Sequence, residues 1–169
     1  MTLRLCCLAL CLAIFPAFAC GQSYKYFRIG HPDDAHTHPR FGIAMIGGGP
    51  DLDQAFRWLC AKADSGDFLV LRAAGSDDYN PYVAGLCKIN SVATLIIPDR
   101  AAAQDARVSA LIRSAEAVFI AGGDQARYVN FWKGTAVAEA LDSDIVEGKP
   151  IAGTSAGLAV LGDLRWSLR

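Results

Sequence analysis

The chain has 169 residues, 16 Lys and Arg against 17 Asp and Glu, and 53% apolar against 20% charged residues. That length suits one ordinary domain, and the apolar content excludes an intrinsically disordered chain. A formal net charge of -1 advertises no basic surface, so nucleic acid is excluded as an expected partner.

The first segment reads as an export leader. Arg4 is the only charge before Lys25, Leu5 to Phe15 is unbroken apolar sequence, and Pro16 precedes Ala17-Phe18-Ala19. A positive start, a short apolar core and an A-x-A end mark a secretory signal peptide over 1–19. The apolar stretch is too short to span a membrane. The expected location is therefore secreted or periplasmic. Cleavage after Ala19 would expose Cys20. Bulky Phe18 and Ala17 before it do not suit a lipoprotein signal, so no lipid anchor at Cys20 is expected. Of six cysteines, Cys20, Cys60 and Cys87 would remain. None stands in a C-x-x-C pair of metal spacing.

Residues 20–40 are polar, with His31, His36, His38 and paired Asp33-Asp34. They read as an exposed lead-in, and the histidines as a chance loop cluster, not a metal site.

A regular alternation then begins, and 41–169 reads as one α/β domain. Ile43–Ile46, Phe68–Leu71, Val92–Ile97, Ala117–Ile120 and Pro150-Ile151-Ala152 are short, continuously apolar runs. Such runs suit strands buried on both faces, as in a parallel sheet. Between them, Leu52, Ala55, Phe56, Leu59, Cys60 and Ala63 form one helical stripe. Asp51 and Gln54 approximate a capping box before it. Val108, Leu111 and Ile112 form another stripe. Thr135 can cap a helix carrying Val137, Leu141 and Ile145, stopped by Gly148 and Pro150. The expected fold is a three-layer α/β structure: a mostly parallel sheet in flavodoxin-like order with helices on both faces. If the strand order reverses after the second run, Cys60 and Cys87 lie on opposite faces, so two buried thiols are expected instead of a disulfide.

In such sheets ligands bind beyond the carboxyl ends of the strands. Those ends are Gly47-Gly48-Gly49, Gly75-Ser76-Asp77-Asp78, Gly122-Gly123-Asp124-Gln125 and Gly153-Thr154-Ser155-Ala156-Gly157. The last matches G-x-S-x-G, in which a tight strand–helix turn lifts a serine hydroxyl out and sets it at a helix N-terminus. The Ala156 N–H can then face a developing oxyanion, and Gly122-Gly123 is the natural second half of that hole. Gly47-Gly48-Gly49 lacks both nucleotide-loop spacings. Asp77 and Asp78 read as a solvated turn, with attraction of a cationic substrate group as the alternative.

The pairing of Gly122-Gly123-Asp124-Gln125 with Gly153-Thr154-Ser155-Ala156-Gly157 resembles the cyanophycinase branch of the S51 serine peptidases. Their fold is similar to class I glutamine amidotransferases, with serine replacing cysteine. The resemblance runs from about Gly42 to Gly162. It implies hydrolysis of peptide or isopeptide bonds in aspartate-containing substrates. No cofactor or metal is expected, since the histidines read as a chance cluster and the glycine runs lack nucleotide-loop spacing. The resemblance implies Ser155 as nucleophile, Gly123 and Ala156 as oxyanion donors, and Gln125, Asp124 and Thr154 as substrate-binding residues. The family's catalytic histidine and its orienting acid follow the nucleophile. Here fourteen residues follow Ser155 and none is histidine. The expectation is a C-terminally incomplete domain with impaired catalysis. The alternatives are a vestigial binding domain without a base, or an α/β-hydrolase esterase, which would need an HGGG-type loop that the sequence lacks. The sequence leaves a homodimer open.

Overall fold

The computed structural model describes residues 23–164. The leader, Cys20 and the last five residues lie outside that range. In chain order the elements are β1 (Lys25–Gly30), β2 (Ile43–Ile46), α1 (Asp53–Lys62), β3 (Asp67–Arg72), α2 (Tyr79–Leu86), β4 (Ser91–Ile96), α3 (Arg100–Ala103), α4 (Ala106–Ser114), β5 (Ala117–Ile120), α5 (Gln125–Trp132), α6 (Ala136–Val146), β6 (Ile151–Thr154) and α7 (Ala156–Leu164).

One six-stranded sheet runs in the order β1-β4-β3-β5-β6-β2, parallel except for β1. From β3 onward this is the expected flavodoxin-like sequence of strands. The first strand of the alternation, β2, takes the far edge beside β6. The inner strands read as unbroken apolar runs because both sheet faces are covered. Phe68 and Val70 join Phe56, Leu59 and Val83 under α1 and α2, while Leu69 and Leu71 join Val108, Trp132, Leu141 and Val160 on the other face.

The polar lead-in contains an element that the sequence reading did not anticipate. Lys25–Gly30 forms β1, an antiparallel edge strand on β4. Asp67 anchors it at the sheet's amino edge. Arg28 Nη2 lies 3.1 Å from Asp67 Oδ1, which also accepts from Asn90 Nδ2 and Ser91 Oγ, and Oδ2 accepts from the Ala35 N–H. Burial pushes this carboxyl up, but the hydrogen bonds from Ser91, Asn90 and Ala35 and the charge of Arg28 together hold it below its ordinary value.

The thiol expectation is overturned: Cys60 and Cys87 form a disulfide, with Cα atoms 6.3 Å apart. The reason is topological. The crossovers β2–α1–β3 and β3–α2–β4 both run toward the β1 edge, so right-handedness puts α1 and α2 on one face. The direction reverses only after β4, one strand later than expected. The capping box also fails. Leu52 is the N-cap of α1 and contributes no side-chain bond, while Asp51 accepts from Tyr79 Oη. Thr135 occupies the N-cap of α6, but its hydroxyl donates to the Trp132 carbonyl.

Asp144 of α6 is buried, with Lys149 Nζ 3.3 Å from Oδ1. Burial lifts its carboxyl to about 6; Glu147 adds to that lift, while Lys149 and Arg113 oppose it. The fold therefore holds the proton to higher pH than the unfolded chain does, a contribution complete below about pH 4 and lost as pH rises through 6. Chemical denaturation of Asp144→Asn against wild type at pH 4 and pH 7 should show the variant gaining about 2 kcal/mol relative to wild type across that interval. A constant difference would refute the burial penalty.

Candidate active site

The turn after β6 is built by exclusion of side chains. A Cβ on Gly153 would stand 2.6 Å from the backbone carbon and oxygen of Gly157, and one on Gly157 only 2.1 Å from the Ile120 oxygen. The two glycines thus let the first turn of α7 press against both β6 and the end of β5. Between them Ser155 is forced to φ 51°, a left-handed conformation that costs a non-glycine residue free energy. Its N–H donates to the Ile46 carbonyl at 3.0 Å, and its carbonyl accepts from Ala159 N–H. The Ser155 side chain is exposed while Ala156 is buried. Ala156 opens α7, where the first backbone N–H groups have no intrahelical acceptor.

The glycine pair after β5 lies beside this turn. A Cβ on Gly122 would be 3.5 Å from Ser155 Cβ. Gly47, Gly75, Gly122-Gly123 and Ser155 all follow the carboxyl ends of parallel strands, so they share one sheet edge. Asp124 caps α5 by accepting from the Ala126 N–H at 2.9 Å, and lies 3.8 Å from Arg127 Nε. Gln125 is exposed at the first position of that helix. Thr154 is buried and its hydroxyl donates to Gly47 O at 3.2 Å, tying β6 to the end of β2.

At the same edge a cleft of ≈ 600 Å³ opens on the α1–α2 face, lined by Asp51, Asp53, Arg72, Asp78, Tyr79 and Tyr82. Tyr79 and Tyr82 donate to Asp51 and Asp53, each at 2.7 Å, and Ser76 donates to Asp78. Burial, then the hydrogen bond and charge of Asp51, pushes the Tyr79 phenol far above its ordinary value. The Arg72 guanidinium lies 5.6 Å from the Tyr79 ring centre and donates to Ser76 O. The sequence reading missed Arg72, Tyr79 and the role of Asp51. One signal was present: Arg72 is a charge closing a buried apolar run, a position at the carboxyl end of a strand.

The three histidines are elsewhere. His31 N–H donates to Asn90 O just before β4, Thr37 Oγ1 to Ala63 O, and His38 N–H to Asp64 Oδ2 just before β3. All therefore belong to the amino edge, across the sheet from Ser155. Among the described residues, no cluster of three or more His, Cys, Asp or Glu could hold a metal ion.

A three-layer, mostly parallel sheet that lifts a serine into a left-handed strand–helix turn beside a glycine pair defines an α/β protein of the serine-elbow kind. The chain belongs to peptidase family S51, whose model matches residues 50–164. In fold it is similar to the crystal structure of a peptidase from an acI-B1 Actinobacterium, with TM-score 0.52 and 18% identity over 69% of this chain and 55% of that one. It thus spans about half the length of that peptidase. No curated protein matches the chain.

Proposed function

We propose that the chain is a secreted serine peptidase-like protein of the cyanophycinase type, acting on peptide or isopeptide bonds of aspartate-containing substrates through Ser155. The observation that carries this reading is the left-handed Ser155 held against Gly122 at one sheet edge. In the proposed step, Ser155 Oγ attacks the substrate carbonyl carbon, and the resulting oxyanion is received by the N–H groups of Gly123 and Ala156. In this reading Arg72, which lines the cleft together with Asp51, Asp53 and Asp78, is the group that meets an acidic substrate side chain. The Cys60–Cys87 bridge supports export, because disulfides persist in oxidising compartments.

A serine hydroxyl near neutral pH needs a base to take its proton. His31, His36 and His38 belong to the opposite edge, so catalysis by this chain alone is impaired by about 10²–10⁴-fold or more. Treatment with a fluorophosphonate followed by peptide mass spectrometry should find slow but stoichiometric modification of Ser155, absent in Ser155→Ala. Hydrolysis of α- and β-aspartyl dipeptides should fall far below the ~10 s⁻¹ typical of enzymes. No modification at all would favour a vestigial binding domain. Turnover near that typical rate, abolished by Ser155→Ala, would disprove the impairment.

A further inference from the structure

We propose that Tyr128 is a positioning residue that holds the Gly122–Gly123 peptide with its N–H turned toward the Ser155 hydroxyl. The inference rests on the reading of Ser155 as nucleophile and deepens it, because it names the side chain that prepares the oxyanion hole. Tyr128 lies one turn inside α5, is 2% exposed, and packs edge-on against Trp132 with ring centres 4.6 Å apart. Its hydroxyl donates to Ala121 O at 2.8 Å and reaches Gly122 O at 3.3 Å.

Two consecutive carbonyls are thereby drawn to one buried phenol. A trans peptide points its N–H opposite to its C=O, and no peptide bond in the described chain is cis. With the Gly122 carbonyl turned to Tyr128, the Gly123 N–H is turned away from it. Gly122 itself abuts Ser155, so that direction serves the serine side of the loop. The other side is closed: a Cβ on Gly123 would stand 3.3 Å from Tyr128 Oη. A two-glycine loop is free to flip its peptide, and preorganised donors are worth most when they need no reorganisation. Tyr128 supplies the restraint. Burial raises its phenol above the ordinary value, so it remains a protonated donor at the pH of any assay near neutrality.

The test compares wild type, Tyr128→Phe and Trp132→Phe. Each protein is labelled with ¹⁵N-glycine to follow the Gly123 amide, and reacted with a fluorophosphonate to give the inactivation rate constant kinact and the binding constant KI separately. Tyr128→Phe keeps the ring and removes only the hydroxyl. It should displace or broaden the Gly123 amide resonance, leave those of Gly153 and Gly157 in place, and lower kinact at least about tenfold with KI unchanged. Trp132→Phe, which disturbs the same helix packing, should lower Tm without lowering kinact per folded molecule. An unchanged kinact in Tyr128→Phe alongside normal wild-type labelling would overturn the role of Tyr128 and leave Ser155 standing. A fall in kinact matched by Trp132→Phe would reduce Tyr128 to a packing residue and also overturn it. Failure of wild type to label at Ser155 would overturn the nucleophile, and the positioning role with it.

Discussion

Gly157→Ala is expected to be among the most damaging single-methyl changes in the molecule. The added carbon would sit 2.1 Å from the Ile120 oxygen, 2.7 Å from its carbonyl carbon and 2.8 Å from the Ala121 oxygen. Even a close carbon–oxygen contact needs about 3.3 Å, so the first clash is short by more than 1 Å or so. All three opposing atoms are backbone, so no rotamer change relieves them. The first turn of α7 must lift off β5. Overpacking of this severity costs about 3 kcal/mol or more, a Tm loss of roughly 6–12 °C at this chain length. The same lift separates Ser155 from Gly122, so fluorophosphonate labelling should fall further than stability does. Gly162 provides the control on the same helix. A Cβ there meets nothing within 4 Å, and alanine is the better helix former by about 1 kcal/mol. Gly162→Ala should therefore raise Tm slightly and leave labelling intact. Thermal melts and labelling of the two variants side by side decide the matter; a Gly157→Ala protein that melts and labels like wild type would sink the close-packed elbow.

Removing the Cys60–Cys87 bridge is the second large effect. The cysteines are 27 residues apart, and a loop of that length constrains the unfolded chain by about 3.5 kcal/mol. The Cys60→Ala/Cys87→Ala protein should lose about 2–4 kcal/mol in chemical denaturation. Reductant should weaken wild type to a similar extent and leave the variant unaffected. The bridge ties the end of α1 to the residue after α2, on the face where both helices cover Phe68, Val70 and Phe119. Its loss should therefore raise hydrogen exchange in α2 before that in α5 or α6. Free thiols at both cysteines in air-oxidised protein would contradict the bridge directly.

What could be read in advance follows a physical division. Strands β3 to β6 were legible because burial on both faces writes itself as continuous apolarity, and the elbow because a turn this tight tolerates so few residue types. β1 was hidden: Lys25, Tyr26, Phe27, Arg28 and Ile29 alternate on a half-exposed edge, and their place depends on Asp67, some forty residues away. The disulfide was misjudged because its geometry depends on where the strand order reverses, a property of the whole sheet. Arg72 and Tyr79 converge only once β3 and α2 are docked. Tyr128 is invisible for a related reason. In sequence it is one aromatic on a helical stripe, and only the fold shows which carbonyls its hydroxyl meets.

The pairing of β2 with β6 alone carries a consequence for folding order. Residues 43–46 lie against 151–154, the longest-range pairing in the sheet. The β3–β4 and β3–β5 pairs close across shorter spans and can form while later residues are still being synthesised. During that interval β2 has no strand to join, and exposed Ile43 and Met45 make it a sticky segment. Ile46 holds the Ser155 N–H, and Gly47 receives the Thr154 hydroxyl, so the elbow gains its full set of contacts only when this last pairing zips. In a refolding experiment, recovery of Ser155 reactivity should therefore lag the return of helical signal, which makes the reactive serine a clock for closure of the sheet.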